Sequence, residues 1–234
     1  AEDNLYTCSQ DTIAHIIEQV KTLGLNRVVV ASCTPLTHEP LFQDALRQAG
    51  INAPIVVLGP LFQEQIADLL AHQLTPVVSD PSLLQPLARA AASLASPYPI
   101  HLKVETGMGR LGLTPEELSS LIRARSFPPS LQLEGLMTHL ADTDGPSGEG
   151  TERQLTQFDR AIQTVADGGF RVPLIHAANS GGAVRFPRAR YSLVRPGIML
   201  YGYHTLPPSV PTPDLRPVLS LRTSIAQLRT LPAG

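Results

Sequence analysis

Short apolar runs alternate along this chain with longer amphipathic stretches, and this alternation limits the folds that it can adopt. The apolar runs are short and most of them contain β-branched residues, which favours strands over helices. They cover residues 27–31, 55–58, 75–78, 100–104, 131–138 and 172–176, with a last strand formed by 192–194 and 199–201. The amphipathic stretches predict helices over residues 11–23, 39–49, 62–72, 82–94, 114–125 and 152–166. Repeated strand–helix alternation predicts an α/β fold with a parallel sheet.

The sheet can close into a (β/α)8 barrel of the TIM type, for which 234 residues are enough. The chain offers about seven strands where a closed barrel has eight, so we predict an incomplete barrel. An open, doubly wound sheet is the structural alternative. In a barrel, functional residues lie at the carboxyl ends of the strands. The proline-rich segment 206–217 is predicted to be a linker, and 218–228 a strand that starts a new element.

Composition excludes several classes of protein. With 43% apolar and 16% charged residues, the chain has enough apolar side chains to bury a core. Its net charge of −2 gives no field that would attract nucleic acid or an anionic membrane, and no apolar run has the length of a membrane span. Two cysteines cannot build a disulfide framework or fill a four-thiolate metal site. We therefore expect a soluble, cytoplasmic domain with no nucleic-acid, membrane or metal partner.

The first candidate motif is KVETGMGRLG, residues 103–112, which directly follows a predicted strand. Lys103 lies within that strand, where a buried ammonium needs a partner or a modification. The glycines allow a tight turn, from which Arg110 can present its planar fork to an anionic oxygen. The alternative is an ordinary glycine turn with a solvated arginine.

The second candidate motif is GLMTHLAD, residues 135–142, at the end of another predicted strand. Its histidine, His139, lies at the strand mouth, where an imidazole can stack on a cofactor or transfer protons. A hydrogen-bonded structural histidine is an equally simple interpretation.

The third candidate site combines HAANSGG, residues 176–182, with VRPGI, residues 194–198. Asn179 and Ser180 before the glycines predict a capped helix start whose free N–H groups can hold a phosphate. Gly197 would expose further backbone N–H groups nearby, and late barrel strands frequently build a phosphate site in this way. Each segment alone also fits a simple turn and cap, but the two follow successive strands and would converge.

Taken in order, KVETGMGRLG, GLMTHLADTD, HAANSGG and LVRPGIMLYG resemble the barrel domain of the alanine racemase family, from about residue 49 to the end of the chain. The resemblance implies a (β/α)8 barrel followed by a β-rich C-terminal domain. It also implies pyridoxal phosphate as cofactor, interconversion of L- and D-alanine as the activity, and thus an isomerase of D-alanine metabolism. Members of the family form homodimers whose active sites borrow residues across the interface.

The resemblance also implies roles for the residues near the cofactor ring and the substrate. Lys103 would be the lysine that can be carbamylated, which makes it an anion able to hold Arg110. Arg110 would bind the substrate carboxylate or the phenolic oxygen of the cofactor. His139 would pack on the pyridine ring, and Arg195 would donate to its nitrogen. Glu105 occupies a position where the family usually has Asp.

A second set of residues would bind the cofactor phosphate, again by resemblance. Ser180, Gly197 and Ile198 would hold the phosphate group itself. His176 and Asn179 would support the groups around the cofactor, and Asn179 would itself belong to the cofactor site.

The lysine that forms the Schiff base in this family is missing. The family carries it on the first barrel strand, in a Lys-Ala-Asp-Ala-Tyr-Gly-His-Gly type motif, whereas the only lysines here are Lys21 and Lys103, which lack that context. The second base, a tyrosine of the C-terminal domain, would lie beyond Gly234. We therefore expect a barrel without its first strand, a truncated C-terminal domain and no identifiable catalytic residue. Such a chain would bind pyridoxal phosphate weakly and non-covalently, and would be inactive in racemisation.

The first 48 residues resemble a different family. NLYTCSQDT (4–12) and LNRVVVASCTPLTHEPLF (25–42) are similar to a fragment of the iron–sulfur flavoprotein of heterodisulfide reductase. By this resemblance Cys8 and Cys33 could be cluster ligands, although two thiolates cannot complete a four-cysteine cluster. Two small buried apolar residues are the simpler interpretation.

These observations predict a fusion of three parts. Residues 1–48 would act as part of the barrel, 49–205 would form the pyridoxal-phosphate barrel, and 206–234 would be a linker and the start of a truncated domain. Two other functions stay open: an iron–sulfur electron-transfer or interaction module, and a non-catalytic barrel that binds a phosphorylated metabolite. A chimeric reading frame without a selected function is a further alternative.

Overall fold

A computed structural model describes residues 28–30, as backbone only, together with residues 55–124, 126–217 and 227. Within these residues the strands are short and all parallel. They are β1 (Val28–Val30), β2 (Ile55–Val57), β3 (Thr75–Val78), β4 (Tyr98–Lys103), β5 (Leu131–Met137) and β6 (Leu174–His176). Each agrees with a predicted strand.

Helices follow the strands as the amphipathic pattern predicts. They are α1 (Ile66–Ala71), α2 (Leu84–Ala91), α3 (Pro115–Arg123), α4 (Glu149–Asp167) and α5 (Ser180–Arg185), with 3-10 turns at Gln63–Gln65, Pro81–Leu83, Pro187–Arg190 and Ile198–Tyr201. The helices predicted over residues 11–23 and 39–49 lie outside the described residues. In the described part of the chain, no helix combines the length and apolar character needed to cross a membrane.

The strand order is β1-β2-β3-β4-β5-β6, so every strand pairs with its neighbours in the sequence. A doubly wound sheet reverses its strand order at a switch point, and no such reversal occurs among these strands. Sequential parallel order is that of a TIM-type barrel, and no ladder between β6 and β1 closes the sheet within the described residues. The predicted parallel α/β fold with an incomplete barrel is therefore confirmed.

The strand predicted at 192–194 and 199–201 is only partly present. Leu193 forms a single bridge to His176, whereas Ile198–Tyr201 is a 3-10 turn, so the strand prediction for 199–201 is wrong. The backbone N–H groups of Gly197 and Met199 donate to a side-chain hydroxyl, which makes them unavailable to a neighbouring strand.

Segment 206–217 contains no helix or strand, as expected for a linker, and 218–228 lies outside the described residues apart from 227.

The main core lies between the sheet and the helices that pack on it. Its fully buried side chains come from both layers: Leu87, Ile100, Leu102, Leu118, Leu136, Leu155 and Phe158. Phe158 of α4 packs its ring edge-to-face on Tyr191 at 5.5 Å between centroids. This contact holds the middle of α4 against the segment that precedes the bridge between Leu193 and His176.

The start of α3 is fixed by its own sequence. Thr114 Oγ1 accepts from the backbone N–H of Glu117 at 3.2 Å, and Glu117 Oε2 accepts from the N–H of Thr114 at 2.8 Å. Together with Pro115 at the first helical position, this capping box ends the long loop that follows β4. The loop with the first site motif is therefore anchored at both ends.

A bulge in β5 places a glycine opposite one buried side chain of β4. The pairing of β4 with β5 shifts between Ile100 and His101, so that His101 lies opposite Gly135 and residue 134 is extra. A Cβ atom on Gly135 would overlap the His101 imidazole. Only glycine at this position leaves room for the ring, which is fully buried.

We expect Gly135→Ala to lower the free energy of unfolding by about 2 kcal/mol, because the added methyl group overpacks the His101 ring. Urea denaturation followed by circular dichroism measures the change. The matched control is Gly150→Ala on α4, where a Cβ would meet no atom closer than 3.9 Å; it is expected to be neutral or stabilising by less than about 1 kcal/mol. Equal stability of the two variants would contradict this account of the bulge.

Candidate functional site

A buried arginine connects the carboxyl ends of β5 and β6. Arg195 is only 8% exposed, which is unusual for a guanidinium. Its Nη1 donates to Nδ1 of His176 at 2.8 Å, and its Nη2 donates to the carbonyl oxygens of Thr138 at 2.8 Å and Ala177 at 2.9 Å. Burial lowers the pKa of Arg195 to about 10, so the side chain is still a cation at neutral pH.

Arg195 is held by a neutral histidine. A guanidinium can only donate, so Nδ1 of His176 accepts and the imidazole proton lies on Nε2. That Nε2 is 2.8 Å from Nδ1 of His101, which accepts in turn. Burial lowers the pKa of His176 to about 2, helped by the charge of Arg195 and by His101. The hydrogen bonds from Arg195 to His176 and from His176 to His101 thus hold the guanidinium cation in place with neutral imidazoles and without a negative charge.

The far end of this line approaches an acidic side chain. Nε2 of His101 is buried and has no hydrogen-bond partner within the described residues, while Oε2 of Glu134 lies 3.5 Å away. A buried donor without a partner costs free energy, and a nearby carboxylate offsets part of that cost. Glu134, the extra residue of the bulge, therefore has its carboxylate close to the His101 ring.

Lys103, the last residue of β4, is 6% exposed and lies among positive charges. Burial lowers its pKa to about 8; the charges of Arg110 and Arg195 act in the same direction, while Glu105 opposes them. A measurable fraction of Lys103 is therefore a neutral amine near physiological pH. Three cationic side chains thus share one edge of the sheet.

The turn that carries Arg110 is organised by Glu105. Its carboxylate accepts from the backbone N–H groups of Gly107, Gly109 at 3.0 Å and Arg110 at 3.3 Å. Burial opposes ionisation of this carboxyl group, but the backbone donors outweigh it, so the pKa of Glu105 is lowered. At Gly112, φ is +133° and a Cβ would lie 2.7 Å from the backbone nitrogen of Glu105, so this position requires glycine.

His139 follows β5 and is partly buried beside the same cations. Burial lowers its pKa to about 4, and the charges of Arg195, Arg110 and Lys103 add to the effect. Because all three charges act on His139, the structure brings these four predicted residues together. The imidazole is neutral at physiological pH, and a neutral imidazole packs on an aromatic ring without a desolvation cost for charge.

A hydroxyl and two backbone N–H groups meet after β6. Oγ of Ser180 accepts from the N–H of Gly197 at 2.8 Å and of Met199 at 3.3 Å. A Cβ on Gly197 would meet no atom within 4 Å, so the space beside this backbone is open. Ile198 lies between the two donors with its side chain 44% exposed.

Asn179 caps helix α5. Its Oδ1 accepts from the N–H of Gly182 at 2.9 Å, and its Nδ2 donates to the carbonyl oxygen of Leu140 at 3.3 Å. The predicted helix start and its cap are thus present. The amide of Asn179 is occupied by these two bonds and holds the loop after β5 against α5.

Several buried polar residues at the site are not predicted from the sequence. They are Thr106 and Thr138, whose hydroxyls lie 2.6 Å apart, Gln154 of α4, and His101. Gln154 lies on the face of α4 that also buries Thr151, Leu155 and Phe158. A glutamine within the apolar face of an amphipathic helix is the sequence signal that could have identified it.

Among the residues that the structure describes, no group of three His, Cys, Asp or Glu side chains could hold a metal ion. Cys8 and Cys33, the candidate cluster ligands, lie outside those residues.

The fold and the site together define an α/β barrel-type domain whose strand ends carry a buried arginine, further cations and an open backbone turn. The family model "Alanine racemase, N-terminal domain" matches residues 4–205, so the chain belongs to the alanine racemase family. The match includes all four site motifs. It also includes most of residues 1–48, and no comparison supports the resemblance of that segment to heterodisulfide reductase.

Individual relatives agree with the family assignment. The alanine racemase of Treponema pallidum subsp. pallidum is 36% identical over 197 residues, which are 81% of this chain and 52% of that protein. The alanine racemase of Halothermothrix orenii is 34% identical over 228 residues, 96% of this chain and 58% of that protein. The chain thus spans about half the length of the curated relatives it matches.

Solved structures show the same fold. The alanine racemase of Clostridium difficile 630 matches with a TM-score of 0.70 at 27% identity, over 86% of this chain and 52% of that chain. The alanine racemase of Bartonella henselae, solved with covalently bound pyridoxal phosphate, matches with a TM-score of 0.63 at 22% identity, over 84% of this chain and 61% of that chain.

The buried neutral histidine predicts how stability depends on pH. The pKa of His176 is lowered on folding, so below its unfolded pKa of about 6.5 the unfolded chain binds a proton that the folded chain does not. Stability therefore falls as the pH falls. Between pH 7 and pH 5 we expect His176 to account for a loss of about 2 kcal/mol.

Urea denaturation at pH 7, 6 and 5 measures this loss, and His176→Gln is expected to flatten the pH dependence by that amount. Gln can still accept from Arg195 and donate to His101. His204→Gln is the matched control, since His204 is exposed. If the wild-type chain and His176→Gln lose the same stability between pH 7 and pH 5, His176 is not held neutral.

Proposed function

We propose that this chain supplies the cofactor-binding half of a pyridoxal-phosphate-dependent alanine racemase. The observation that carries the proposal is the buried Arg195, held by a neutral histidine within electrostatic range of Lys103 and His139. When bound, pyridoxal phosphate supplies a ring that stabilises negative charge on the α-carbon of an amino acid.

Arg195 fits the nitrogen of the pyridine ring. A guanidinium has five N–H donors, and three hydrogen bonds join that of Arg195 to acceptors within the described residues. A remaining N–H can donate to the ring nitrogen, and the positive charge keeps that nitrogen unprotonated. His139, neutral and partly buried beside Arg195, is the candidate for packing on the ring.

The turn after β6 fits the phosphate. The Ser180 hydroxyl and the N–H groups of Gly197 and Met199 already form one cluster, and open space lies beside Gly197. When a phosphate binds, the N–H groups of Gly197 and Met199 would exchange the Ser180 oxygen for phosphate oxygens, and the Ser180 hydroxyl proton and the N–H of the intervening Ile198 would complete the set of donors. Asn179 contributes by holding the loop before Ser180 in place.

Lys103 and Arg110 fit the substrate side of the site. As an ammonium, Lys103 repels Arg110 and Arg195. In its neutral form the amine can add to carbon dioxide and release a proton, and the resulting carbamate would attract Arg110 instead. Arg110 would then be held for the carboxylate of alanine or the phenolic oxygen of the cofactor.

This chain by itself is proposed not to racemise alanine. Of its 234 residues only Lys21 and Lys103 are lysines, and neither lies in the family's lysine motif. Cofactor binding is therefore expected to be weak and non-covalent. We further propose that residues 1–48 form part of the barrel, that 49–205 carry the cofactor site and that 206–217 link it to a further domain.

A second copy of the chain is the proposed partner of an exposed apolar segment. Leu200 is 68% exposed, and Val194 and Ile198 beside the site are 39% and 44% exposed. Exposed apolar side chains that cluster in one segment mark an interaction surface, as the homodimer implied by the family requires.

We expect pyridoxal phosphate to bind the purified chain reversibly and Ser180→Ala to weaken binding about tenfold, since a phosphate ligand is removed. Equilibrium dialysis followed by absorbance measures both affinities. Ser120→Ala is the matched control, because Ser120 is exposed on α3 away from the site. Borohydride treatment is expected to leave no cofactor attached to either lysine.

Two results would contradict the proposal. Cofactor fixed by borohydride to Lys103 or Lys21 would show a covalent mode of binding. Equal affinity for pyridoxal phosphate and for simple phosphate monoesters would instead indicate a barrel that binds a phosphorylated metabolite.

Carbamylation of Lys103 is tested separately. In buffer with ¹³C-labelled bicarbonate, a carbamate carbon signal is expected in the ¹³C NMR spectrum of the wild-type chain. It should vanish in Lys103→Arg, which keeps the positive charge, while Lys21 is retained in both proteins. A signal of unchanged intensity in Lys103→Arg would assign the carbamate to another amine.

A further inference from the structure

A glutamine from the outer layer of the fold reaches the site. Gln154 belongs to α4, the helix that follows the loop after β5, and is 5% exposed. It is the only long polar side chain among the residues that α4 buries: Thr151, Gln154, Leu155, Phe158, Ala161 and Val165. A buried amide costs free energy unless its donors and its acceptor are paired.

Both N–H groups of this amide and its carbonyl oxygen are hydrogen-bonded. Nε2 of Gln154 donates to Oγ1 of Thr106 at 3.1 Å and to the carbonyl oxygen of His139 at 3.0 Å. Its Oε1 accepts from the backbone N–H of Ala141 at 2.8 Å. One side chain therefore connects the loop after β4, which carries Arg110, to the loop after β5.

The direction of these hydrogen bonds is fixed by the neighbouring hydroxyls. Thr138 donates its hydroxyl proton to the carbonyl oxygen of Val104 at 2.9 Å, so Thr106 must donate to Thr138 and accept from Gln154. An amide with its NH2 group toward Thr106 satisfies every partner. Gly107 packs against the same side chain, since a Cβ there would lie 3.2 Å from Cγ of Gln154.

We propose that Gln154 is a positioning residue of the cofactor site, because its amide fixes the loop of Arg110 and the loop of His139 relative to each other. The inference rests on the proposed function for what those loops bind. Gln154 acts through His139 and Thr106 and touches neither the Ser180 hydroxyl nor the Gly197 backbone that are assigned to the phosphate. Its loss should therefore affect recognition of the ring and spare recognition of phosphate.

The test compares Gln154→Met with Gln157→Met, a matched control on the exposed side of the same helix. Methionine keeps the length of the side chain and removes all three hydrogen bonds without adding charge. For Gln154→Met we expect affinity for pyridoxal phosphate to fall about tenfold, while affinity for inorganic phosphate, measured by competition, stays within about twofold. Gln157→Met is expected to match the wild type in both.

Amide hydrogen exchange of the cofactor-free chain gives a second measurement, which does not depend on the proposed function. The N–H of Ala141 should exchange at least about tenfold faster in Gln154→Met than in Gln157→Met, because it loses its acceptor. If the wild-type chain binds no pyridoxal phosphate, the proposed function fails, and this measurement still decides whether Gln154 holds the loops.

The proposal is overturned by unchanged Ala141 exchange, by unchanged affinity for pyridoxal phosphate in a chain that binds it, or by equal losses for both ligands. If Gln154→Met does not fold, Thr106→Val takes its place. That variant removes one of the three bonds while Ala141 keeps its acceptor. It should weaken binding of pyridoxal phosphate several-fold and spare phosphate, and an unchanged affinity would overturn the proposal.

Discussion

The site depends on a guanidinium that is buried and, among the residues that the structure describes, hydrogen-bonded only to neutral groups. Arg195 is held by two backbone carbonyl oxygens and by the imidazole of His176, all of them neutral acceptors. A carboxylate in their place would form an ion pair with the guanidinium. Its negative charge would cancel most of the positive potential that a ligand would otherwise experience. With neutral acceptors the charge is free to act on Lys103 and His139, whose pKa values are lowered mainly by burial and further by this charge. This arrangement leaves an uncompensated positive charge at the strand ends, on which the proposed binding of an anionic or electron-rich ligand rests.

The barrel-type fold explains why these groups meet. Parallel strands in sequential order bring Lys103, Thr138 and Ala177, which lie at the ends of consecutive strands, to one edge of the sheet. The helices also contribute to the site, because Gln154 of α4 hydrogen-bonds to the loops after β4 and β5. The bulge opposite His101 shows the reverse dependence, since Gly135 in β5 leaves room for His101, which accepts a hydrogen bond from the histidine that holds Arg195.

Much of this can be predicted from the sequence, for identifiable reasons. Strands β2 to β6 are predictable because the apolar runs are short and well separated, and the loop of Arg110 because its glycines follow such a run. The 3-10 turn that includes residues 199–201 cannot be predicted in this way, because nothing in an apolar triplet indicates that the N–H groups of Gly197 and Met199 donate to Ser180. The contact between His101 and His176 cannot be predicted, because the bulge at residue 134 shifts the register of β5 against β4 and nothing in the sequence marks that shift. The resemblance of the first 48 residues to heterodisulfide reductase rests on short motifs and has no further support, whereas the racemase family model includes nearly all of these residues.

The most direct test of the central claim is ¹⁵N NMR of His176 and Arg195 with and without pyridoxal phosphate. We predict a neutral His176 imidazole with its proton on Nε2 throughout pH 5 to 8, and side-chain signals of Arg195 that shift when the cofactor is added. A charged His176 imidazolium within this range, or Arg195 signals that do not respond to the cofactor, would contradict the account.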